Sequence, residues 1–418
     1  MMAVLLTAAV FGFTLLESPA QGGSKFSATA HRAAAAASSK ALRASKAEAA
    51  AEARAKRVTR AATTTTVPVT ATTSPPTTTP TIASNPPTST ASTGKAMAGP
   101  TIGVSIPSLI SQTPATQAAW LANLKGIGIT SIRIGADWAW VQYAGPTTYD
   151  WSQLDQQIAA VRAAGMTVDL VITDCPPWAA VSGAAGRLSP QPADPAVYAT
   201  FAAAVAARYA PQGVTDFEIW NEPNNVSFWQ PAPNPAAYTA LLRASYASIK
   251  AADPSAFVIT GGLAPESNDG TNINAVTFLS DMYADGARGS FDALGYHPYS
   301  YPALPNTYEL WSGWSQMSQT PSSIEGVLSA NGDASKPLWL TELGAPTSGP
   351  DGVGTAAQAQ ELTQAIADAK ATSWMGALYI YTYEDSGSDP TTNEDWFGLL
   401  NADGSPKPAF AAVAAALK

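Results

Sequence analysis

Between residue 100 and the C-terminus, a short apolar run followed by an amphipathic helical pattern recurs eight times, and this alternation restricts the fold more than any other feature. Two of the helical patterns are Leu154–Arg162 and Ala236–Lys250. Successive runs begin about 29 to 49 residues apart, the length of one strand–helix–strand crossover with its loops. The predicted strands begin near Ile102, Ser131, Thr167, Asp216, Phe257, Ala293, Leu338 and Gly376.

Eight such units predict an α/β fold of the (β/α)₈ TIM-barrel type over residues 100–418, with a site at the carboxyl ends of the strands. An open, doubly wound sheet is the alternative. That fold would favour a Gly-rich phosphate loop after the first strand, and the sequence Gly103–Pro107 does not supply one.

The first 99 residues have a different composition. Residues 3–16 are apolar and uncharged, and small residues at Ser18 and Ala20 predict a signal peptide over 1–20. Residues 21–99 begin Ala- and Lys-rich and become rich in Thr, Pro and Ser, which predicts a disordered linker and stalk. We therefore expect a secreted or cell-surface protein, with no transmembrane segment unless the leader remains as a signal anchor.

Charge separates the same two regions. Residues 1–99 carry ten Lys/Arg and three Asp/Glu, whereas residues 100–418 carry twelve and twenty-eight. An acidic body argues against a nucleic-acid partner and suits a neutral or cationic polymer. The sequence leaves the oligomeric state open, and we expect a monomer.

Few residues are available for metal or thiol chemistry. Cys175 is the only cysteine, so no intramolecular disulfide can form, and a buried apolar role is the usual one for such a residue. His297 is the only histidine after residue 99, which excludes a multi-histidine metal site in the body. We expect neither a metal nor another cofactor.

Two strings 120 residues apart place a glutamate at the end of a predicted strand. They are Phe217–Pro223, which contains Glu222 at the fourth strand, and Pro337–Gly344, which contains Glu342 at the seventh. A carboxylate is costly at the end of a buried strand unless it faces a polar cleft. Strict alternation along both strands predicts that Trp220 and Leu340 share the face of these glutamates.

Two carboxylates facing one cleft are the apparatus for breaking a glycosidic bond. Glu222 is expected to be the general acid, and Glu342 the ionised nucleophile of a retaining, double-displacement reaction. The charge of Glu342 favours a protonated Glu222 at the start of the cycle. A retaining pair predicts a carboxyl separation of about 5–5.5 Å, against about 6.5–9.5 Å for an inverting pair.

Residues 100–418 resemble clan A glycoside hydrolases, most closely family 39 and next the cellulase-like family 5. The resemblance is carried by the Trp-Asn-Glu-Pro and Thr-Glu-Leu-Gly strings and their strand positions. Further matching motifs are Pro176–Ala179, His297–Tyr299, Phe397–Leu400 and Gly404–Pro408.

The resemblance also implies roles around the two glutamates. Asn221 is expected to bond the sugar 2-hydroxyl, Tyr299 to orient Glu342, and His297 to line the same subsite. Arg133 is expected to neighbour the nucleophile and keep it ionised. From the residues alone, a buried salt bridge between Arg133 and Glu218 is an equal alternative for that arginine.

Twelve tryptophans are many for 418 residues, and indoles stack well on the apolar faces of sugars. Trp138, Trp140, Trp178 and Trp229 fall in or beside strand-end loops and are the predicted sugar platforms. Asp137 and Asp174 also fall at strand ends, where substrate binding or helix capping is expected.

These observations predict a retaining O-glycosidase for a β-linked poly- or oligosaccharide. Relatives often have a histidine after strand three and a tryptophan ending strand eight, where this chain has Asp174–Cys175 and Tyr379–Tyr383. The sugar and the choice of endo or exo action are therefore left open. The alternatives are a catalytically silent carbohydrate-binding surface protein and a structural adhesin on the same barrel.

Overall fold

The structure is a computed structural model and describes residues 99–183 and 189–418. The signal peptide predicted over 1–20 lies outside the described residues, as does the linker predicted over 21–99 except for its last residue. None of the described helices is long and apolar enough to cross a membrane.

Eight parallel strands form a nearly closed barrel, which confirms the predicted TIM-barrel fold. Hydrogen-bonded pairing runs in the order β5-β4-β3-β2-β1-β8-β7-β6. Between β5 and β6, where this order is open, two isolated bridges pair Ile259 with Ala293 and Leu263 with Tyr296. The strands are β1 (Thr101–Ser105), β2 (Ser131–Asp137), β3 (Thr167–Thr173), β4 (Asp216–Asn221), β5 (Phe257–Gly262), β6 (Leu294–Tyr296), β7 (Leu338–Leu343) and β8 (Met375–Tyr381).

Helices surround the barrel, and local sequence signals fix where several of them begin. Thr113, Asp194 and Asn234 each cap a helix N-terminus with a side-chain oxygen, and each is followed by a proline, whose φ suits the first turn. The α-helices of the described residues are α1 (Pro114–Gly126), α2 (Trp138–Val141), α3 (Ser152–Ala163), α4 (Pro195–Tyr209), α5 (Pro235–Ala252), α6 (Ala275–Ala284), α7 (Gly313–Ser318), α8 (Ile324–Ala330), α9 (Thr355–Ala371) and α10 (Pro408–Ala416).

The barrel has an apolar bottom and a polar top. The main core joins the outer faces of the strands to the helices. A second, smaller cluster contains Ile259, Ala293, Trp339, Ala377 and Tyr379 and fills the lower interior. Above it the interior side chains become charged, and these charged groups lead up to the carboxyl ends of the strands.

Candidate active site

The end of β4 departs from regular strand geometry. Trp220 and Glu222 have positive φ angles of 74° and 43°, which are rare for residues with a side chain. The indole of Trp220 packs against Tyr198 and Trp229, and its Nε1 donates to the Phe228 carbonyl. The alternation prediction is therefore wrong for Trp220: the kinked backbone turns its indole into the helix layer and leaves Asn221 and Glu222 at the barrel mouth.

A similar irregularity lies in β7, where the register against β8 shifts between Leu340 and Leu343. Leu338 and Leu340 pack in the main core, whereas both Thr341 and Glu342 make polar contacts inside the barrel. The prediction that Leu340 shares the face of Glu342 is therefore also wrong. The shift brings two consecutive polar side chains to the mouth.

The structure brings the two predicted glutamates together with His297. One carboxylate oxygen of Glu222, one of Glu342 and one ring nitrogen of His297 all lie within 4.8 Å of one another. His297 Nδ1 lies 2.9 Å from Glu222 Oε1 and 3.9 Å from Glu342 Oε2. The exposed fraction is 6% for Glu222 and 3% for Glu342, so bulk water has little access to either group.

Both oxygens of Glu342 accept hydrogen bonds. Arg133 Nη1 donates to Oε1 at 2.7 Å, and the Tyr299 hydroxyl donates to Oε2 at 2.9 Å. Burial, and then the negative charge of Glu342, raises the pKa of Tyr299 well above its ordinary value. Tyr299 therefore stays a neutral donor to the Glu342 carboxylate.

Arg133 connects β2 to β4 and β7 in the centre of the barrel. Its Nε lies 2.6 Å from Glu218 Oε2, and its Nη2 donates to Asn221 Oδ1 at 2.8 Å. Burial lowers the pKa of Arg133, but the charges of Glu218 and Glu342 raise it by more, so its pKa lies above the ordinary value. The salt bridge to Glu218 and the contact with Glu342 are thus both present.

A hydrogen-bond chain fixes the orientation of His297. The Thr341 hydroxyl donates to Glu218 Oε1 at 3.2 Å, and His297 Nε2 lies 3.1 Å from the same hydroxyl oxygen. Because the hydroxyl has only one proton, its oxygen accepts from Nε2–H of His297. In the neutral imidazole, Nδ1 is then an acceptor facing Glu222 Oε1, which accommodates a protonated Glu222.

The second oxygen of Glu222 contacts a residue that the sequence reasoning missed. Asn225 Nδ2 donates to Glu222 Oε2 at 3.2 Å and to Glu266 Oε1 at 3.1 Å. Asn225 follows Glu222 by three residues and Glu266 follows β5, so a count of polar residues after strand ends could have found both. Thr341 directly precedes Glu342 in the Thr-Glu-Leu-Gly motif, and the sequence reasoning missed it as well.

The structure separates three other predicted site residues from this cluster. Trp138 is fully buried and stacks on Phe201, so it has no exposed surface for a sugar ring and a packing role replaces the expected platform. Trp229, with 1% exposure, is buried in the same way. Trp178 retains 36% exposure at the rim of the barrel.

Asp137 caps a helix, the second of its two expected roles. Its Oδ1 accepts from the Trp140 backbone N–H at the start of α2. Burial, and then the charge of Asp174, raises the pKa of Asp137 well above its ordinary value. Burial also raises the pKa of Asp174 to about 6, against the opposing hydrogen bond from Ser189. A sugar contact of Asp137 stays a prediction.

Within 99–183 and 189–418, Glu222, His297 and Glu342 are the one group of three acidic, His or Cys side chains close enough to hold a metal ion. Both oxygens of Glu342 already accept hydrogen bonds from Arg133 and Tyr299. Cys175 does not belong to this group. It is buried, and burial raises the pKa of its thiol.

Comparison with solved structures supports the same fold. A family 39 glycoside hydrolase from Bacteroides cellulosilyticus WH2 is 22% identical with a TM-score of 0.61, over 76% of this chain and 64% of that one. The chain thus spans less than two thirds of that relative. A monomeric β-xylosidase from Caulobacter crescentus CB15 is 21% identical with a TM-score of 0.55, over 76% and 69% of the two chains.

A GH5_18 protein from Streptomyces cattleya in complex with GlcNAc is 19% identical with a TM-score of 0.56, over 77% of this chain and 80% of that one. At these identities the likeness concerns the fold. No curated protein matches the sequence significantly. The family model described as cellulase (glycosyl hydrolase family 5) matches residues 91–381, well over half of the chain. The chain therefore belongs to the cellulase family, glycosyl hydrolase family 5, and is a glycoside hydrolase.

Proposed function

We propose that this glycosidase is a retaining enzyme for β-linked poly- or oligosaccharides, with Glu222 as acid/base and Glu342 as nucleophile. The observation that carries the proposal is the approach of the two carboxylates to within 4.8 Å in a buried mouth. Carboxylates whose nearest oxygens are this close can both contact the same sugar acetal, as the two groups of a retaining pair must. The name of the Caulobacter relative specifies a β-linkage, which supports the same stereochemistry for the substrate.

Different hydrogen-bond partners support different protonation states of the two glutamates. Glu342 accepts from a permanently charged guanidinium and from a neutral phenol, and both interactions favour the ionised carboxylate. Glu222 instead faces the acceptor nitrogen of His297, provided that the imidazole is neutral. An ionised nucleophile beside a protonated acid is the starting state that retaining chemistry needs.

In the first step, a Glu342 oxygen attacks the anomeric carbon. The bond from that carbon to the bridging oxygen breaks, its electron pair stays on the oxygen, and the oxygen takes the proton of Glu222. In the second step Glu222, now ionised, removes a proton from water while the water oxygen attacks the anomeric carbon. The ester bond to Glu342 breaks, and both carboxyl groups return to their starting states.

The neighbouring residues support binding of the sugar in this reaction. Asn221 is held by Arg133 beside Glu222, where its amide can reach the 2-hydroxyl of the sugar being cleaved. His297 and Tyr299 approach the two carboxylates from the loop that follows β6. Trp178 is the proposed aromatic platform at the rim.

The roles are tested with single variants on 2,4-dinitrophenyl β-glycosides of glucose, xylose, mannose and galactose. Glu342→Gln should abolish turnover while the thermal melt stays near that of the wild type. Glu222→Gln should slow polysaccharide hydrolysis by about 10²–10⁴-fold. It should affect dinitrophenyl glycosides less, because their leaving group needs no proton. Glu325→Gln, on an exposed residue of α8, is the control.

Azide and product stereochemistry distinguish the two glutamates. With azide, Glu342→Ala should give the α-glycosyl azide by direct displacement, and Glu222→Ala should give the β-glycosyl azide from the ester intermediate. NMR of the wild-type reaction should show the β-anomer of the product first. Normal turnover by Glu342→Gln, or an α-anomer as the first product, would contradict the proposal, and glycan binding without turnover by the wild type would favour a silent binding protein.

A further inference from the structure

A short hydrogen-bond relay joins Glu222 to a third carboxylate, which the two-step reaction does not use. Asn225 Nδ2 donates to Glu222 Oε2 at 3.2 Å and to Glu266 Oε1 at 3.1 Å. Asn225 is 7% exposed, and Glu266, in the loop after β5, is half-buried. Because an amide nitrogen has two protons, Asn225 can serve both carboxylates at once.

The orientation of the Asn225 amide is fixed by the backbone. Its Oδ1 accepts from the Ser227 N–H at 2.8 Å, so its nitrogen faces the two carboxylates. A flipped amide would place its oxygen against two acceptors and would take this acceptor away from Ser227. The side chain of Asn225 therefore acts towards Glu222 as a donor.

Glu266 is itself held from its other oxygen. Its Oε2 accepts from Asn272 Nδ2 at 3.2 Å, and Asn272 Oδ1 accepts from the Val226 N–H at 2.9 Å. Since both oxygens of Glu266 face N–H donors, a carboxyl group suits this position better than an amide, which has one acceptor oxygen. The relay thus ties the loop after β5 to the segment after β4.

The backbone of Glu222 is tied to the same two segments. Its N–H donates to the Gly262 carbonyl at the end of β5, and its carbonyl accepts from the Asn225 N–H, both at 3.0 Å. Its φ of 43° is a rare conformation, which persists only when the surroundings hold it. Replacing Asn225 by alanine keeps the backbone N–H, so this change tests the side chain alone.

The two glutamates are oriented by donors of different charge. Glu342 accepts from the guanidinium of Arg133, whereas Glu222 Oε2 accepts from a neutral amide. A cation in the place of Asn225 would strongly favour the ionised carboxylate, and Glu222 would lose its proton more readily. A neutral donor orients the carboxyl group with a smaller bias against the protonated form.

We propose that Asn225 is a positioning residue for Glu222, that Glu266 holds Asn225 in place, and that this relay directs the proton of Glu222 to the bridging oxygen. The inference rests on the proposed role of Glu222 as acid/base. With His297 Nδ1 at Oε1 and Asn225 at Oε2, each oxygen of Glu222 has a partner that fixes the plane of its carboxyl group. Proton transfer needs this group within hydrogen-bond reach of the oxygen that it protonates.

The test compares two substrates that differ in how much their leaving group needs a proton. The full-length enzyme is assayed on the phenyl and the 2,4-dinitrophenyl β-glycosides of the sugar on which the wild type is most active. Phenolate is a poor leaving group, whereas dinitrophenolate leaves without protonation. The ratio kcat/KM is compared, because it reports the bond cleavage in which Glu222 acts as the acid. A lesion that only disturbs the fold lowers both ratios equally.

Asn225→Ala should lower kcat/KM on the phenyl glycoside about tenfold more than on the dinitrophenyl glycoside, the effect of losing one hydrogen bond to the acid. Glu266→Ala should show the same preference with a smaller loss, because Ser227 still holds the amide. Asn268→Ala is the matched control and should change neither ratio. It removes an exposed asparagine of the same loop, whose side chain donates to Thr277.

Glu266→Ala also keeps the proposal testable if Asn225→Ala melts early, since it leaves the Asn225 side chain in place. Equal losses on the two aryl glycosides, or no loss on the phenyl glycoside, would overturn the proposal. Losses confined to oligosaccharides would identify Asn225 and Glu266 as substrate contacts, which also overturns it. Failure of the proposed mechanism is a separate result, because Glu222→Gln itself would then show no dependence on the leaving group.

Discussion

At the scale of single residues, the barrel interior contains more acids than bases. Asp169, Asp216 and Glu218 are buried below the site, and Arg133 is the one buried Lys or Arg among the described interior residues that contacts this group. Burial, and then repulsion from Glu218, raises the pKa of Asp169 well above its ordinary value, and neither of its oxygens has a hydrogen-bond partner. This shift favours the protonated form of Asp169, and Arg133 forms salt bridges with both Glu218 and Glu342.

Tyr299 provides a direct residue-scale prediction. Tyr299→Phe removes the hydrogen bond to Glu342 Oε2, and a hydrogen bond to a charged group contributes about 1.5–3 kcal/mol. We expect kcat to fall about 10–100-fold, with little change in the melting temperature. Steady-state kinetics on a dinitrophenyl glycoside measures this loss.

Tyr296→Phe is the matched control, because its hydroxyl donates to the Gly313 carbonyl and not to a carboxylate. Tyr296→Phe should lower the melting temperature and leave kcat close to that of the wild type. Equal kcat values for the two variants would show that the Tyr299 hydroxyl does not act on the nucleophile.

Sequence motifs located the central residues, but not their geometry. Glu222 and Glu342 were found because a buried apolar run ending in a carboxylate is unusual. Arg133 was also found, but the sequence did not decide whether its partner is Glu218 or Glu342. Positive φ angles at Trp220 and Glu222 were not predictable, since neither residue type favours them. Asn225 and Glu266 were missed because their importance arises only from tertiary contact.

At the scale of elements, the strand predictions agree closely with the structure. Predicted and observed first residues differ by no more than one position, since each strand is a compact apolar run bounded by loops or helix ends. The error at Trp138 has a local cause. Asp137 caps α2 directly at the end of β2, so the next residue begins a helix and turns into the core. A strand end that becomes a helix without a loop places its aromatic residue inside the core.

The helix α9 provides an element-scale prediction through Glu361, which is 2% exposed and whose Oε1 has no hydrogen-bond partner. Burial raises its pKa from 4.5 to about 8. As the pH rises from 4.5 to 8, the unfolded chain loses this proton before the folded chain does, so stability falls across that range. Glu361→Gln removes the titration.

We expect Glu361→Gln to stabilise the protein at pH 8.5, by about 5 kcal/mol at most, and to have little effect at pH 4. Thermal melts at both pH values measure this difference. Glu325→Gln, on the exposed face of α8, should show no such pH dependence. If Glu361→Gln and the wild type had equal melting temperatures at pH 8.5, burial would not raise the pKa of Glu361.

At the scale of the whole molecule, the charge difference between residues 1–99 and 100–418 suggests that the two regions have separate roles. We propose that the basic N-terminal region directs export and tethers the acidic barrel at or outside the cell surface. Fractionation of cells that express the full chain would test this. Recovery of the enzyme only from the cell interior would contradict it.

The barrel itself should not need the N-terminal region. β1 begins at Thr101 and pairs with both β2 and β8, and the family match begins at residue 91. We predict that a fragment of residues 91–418 keeps the kcat/KM of the full chain on a soluble substrate and its melting temperature. Removal of α10, to give residues 91–407, should instead abolish folding, because Ala409 and Val413 are fully buried. Circular dichroism melts and initial rates on both fragments test the boundary, and a markedly less stable 91–418 fragment would show that the first ninety residues belong to the folded domain.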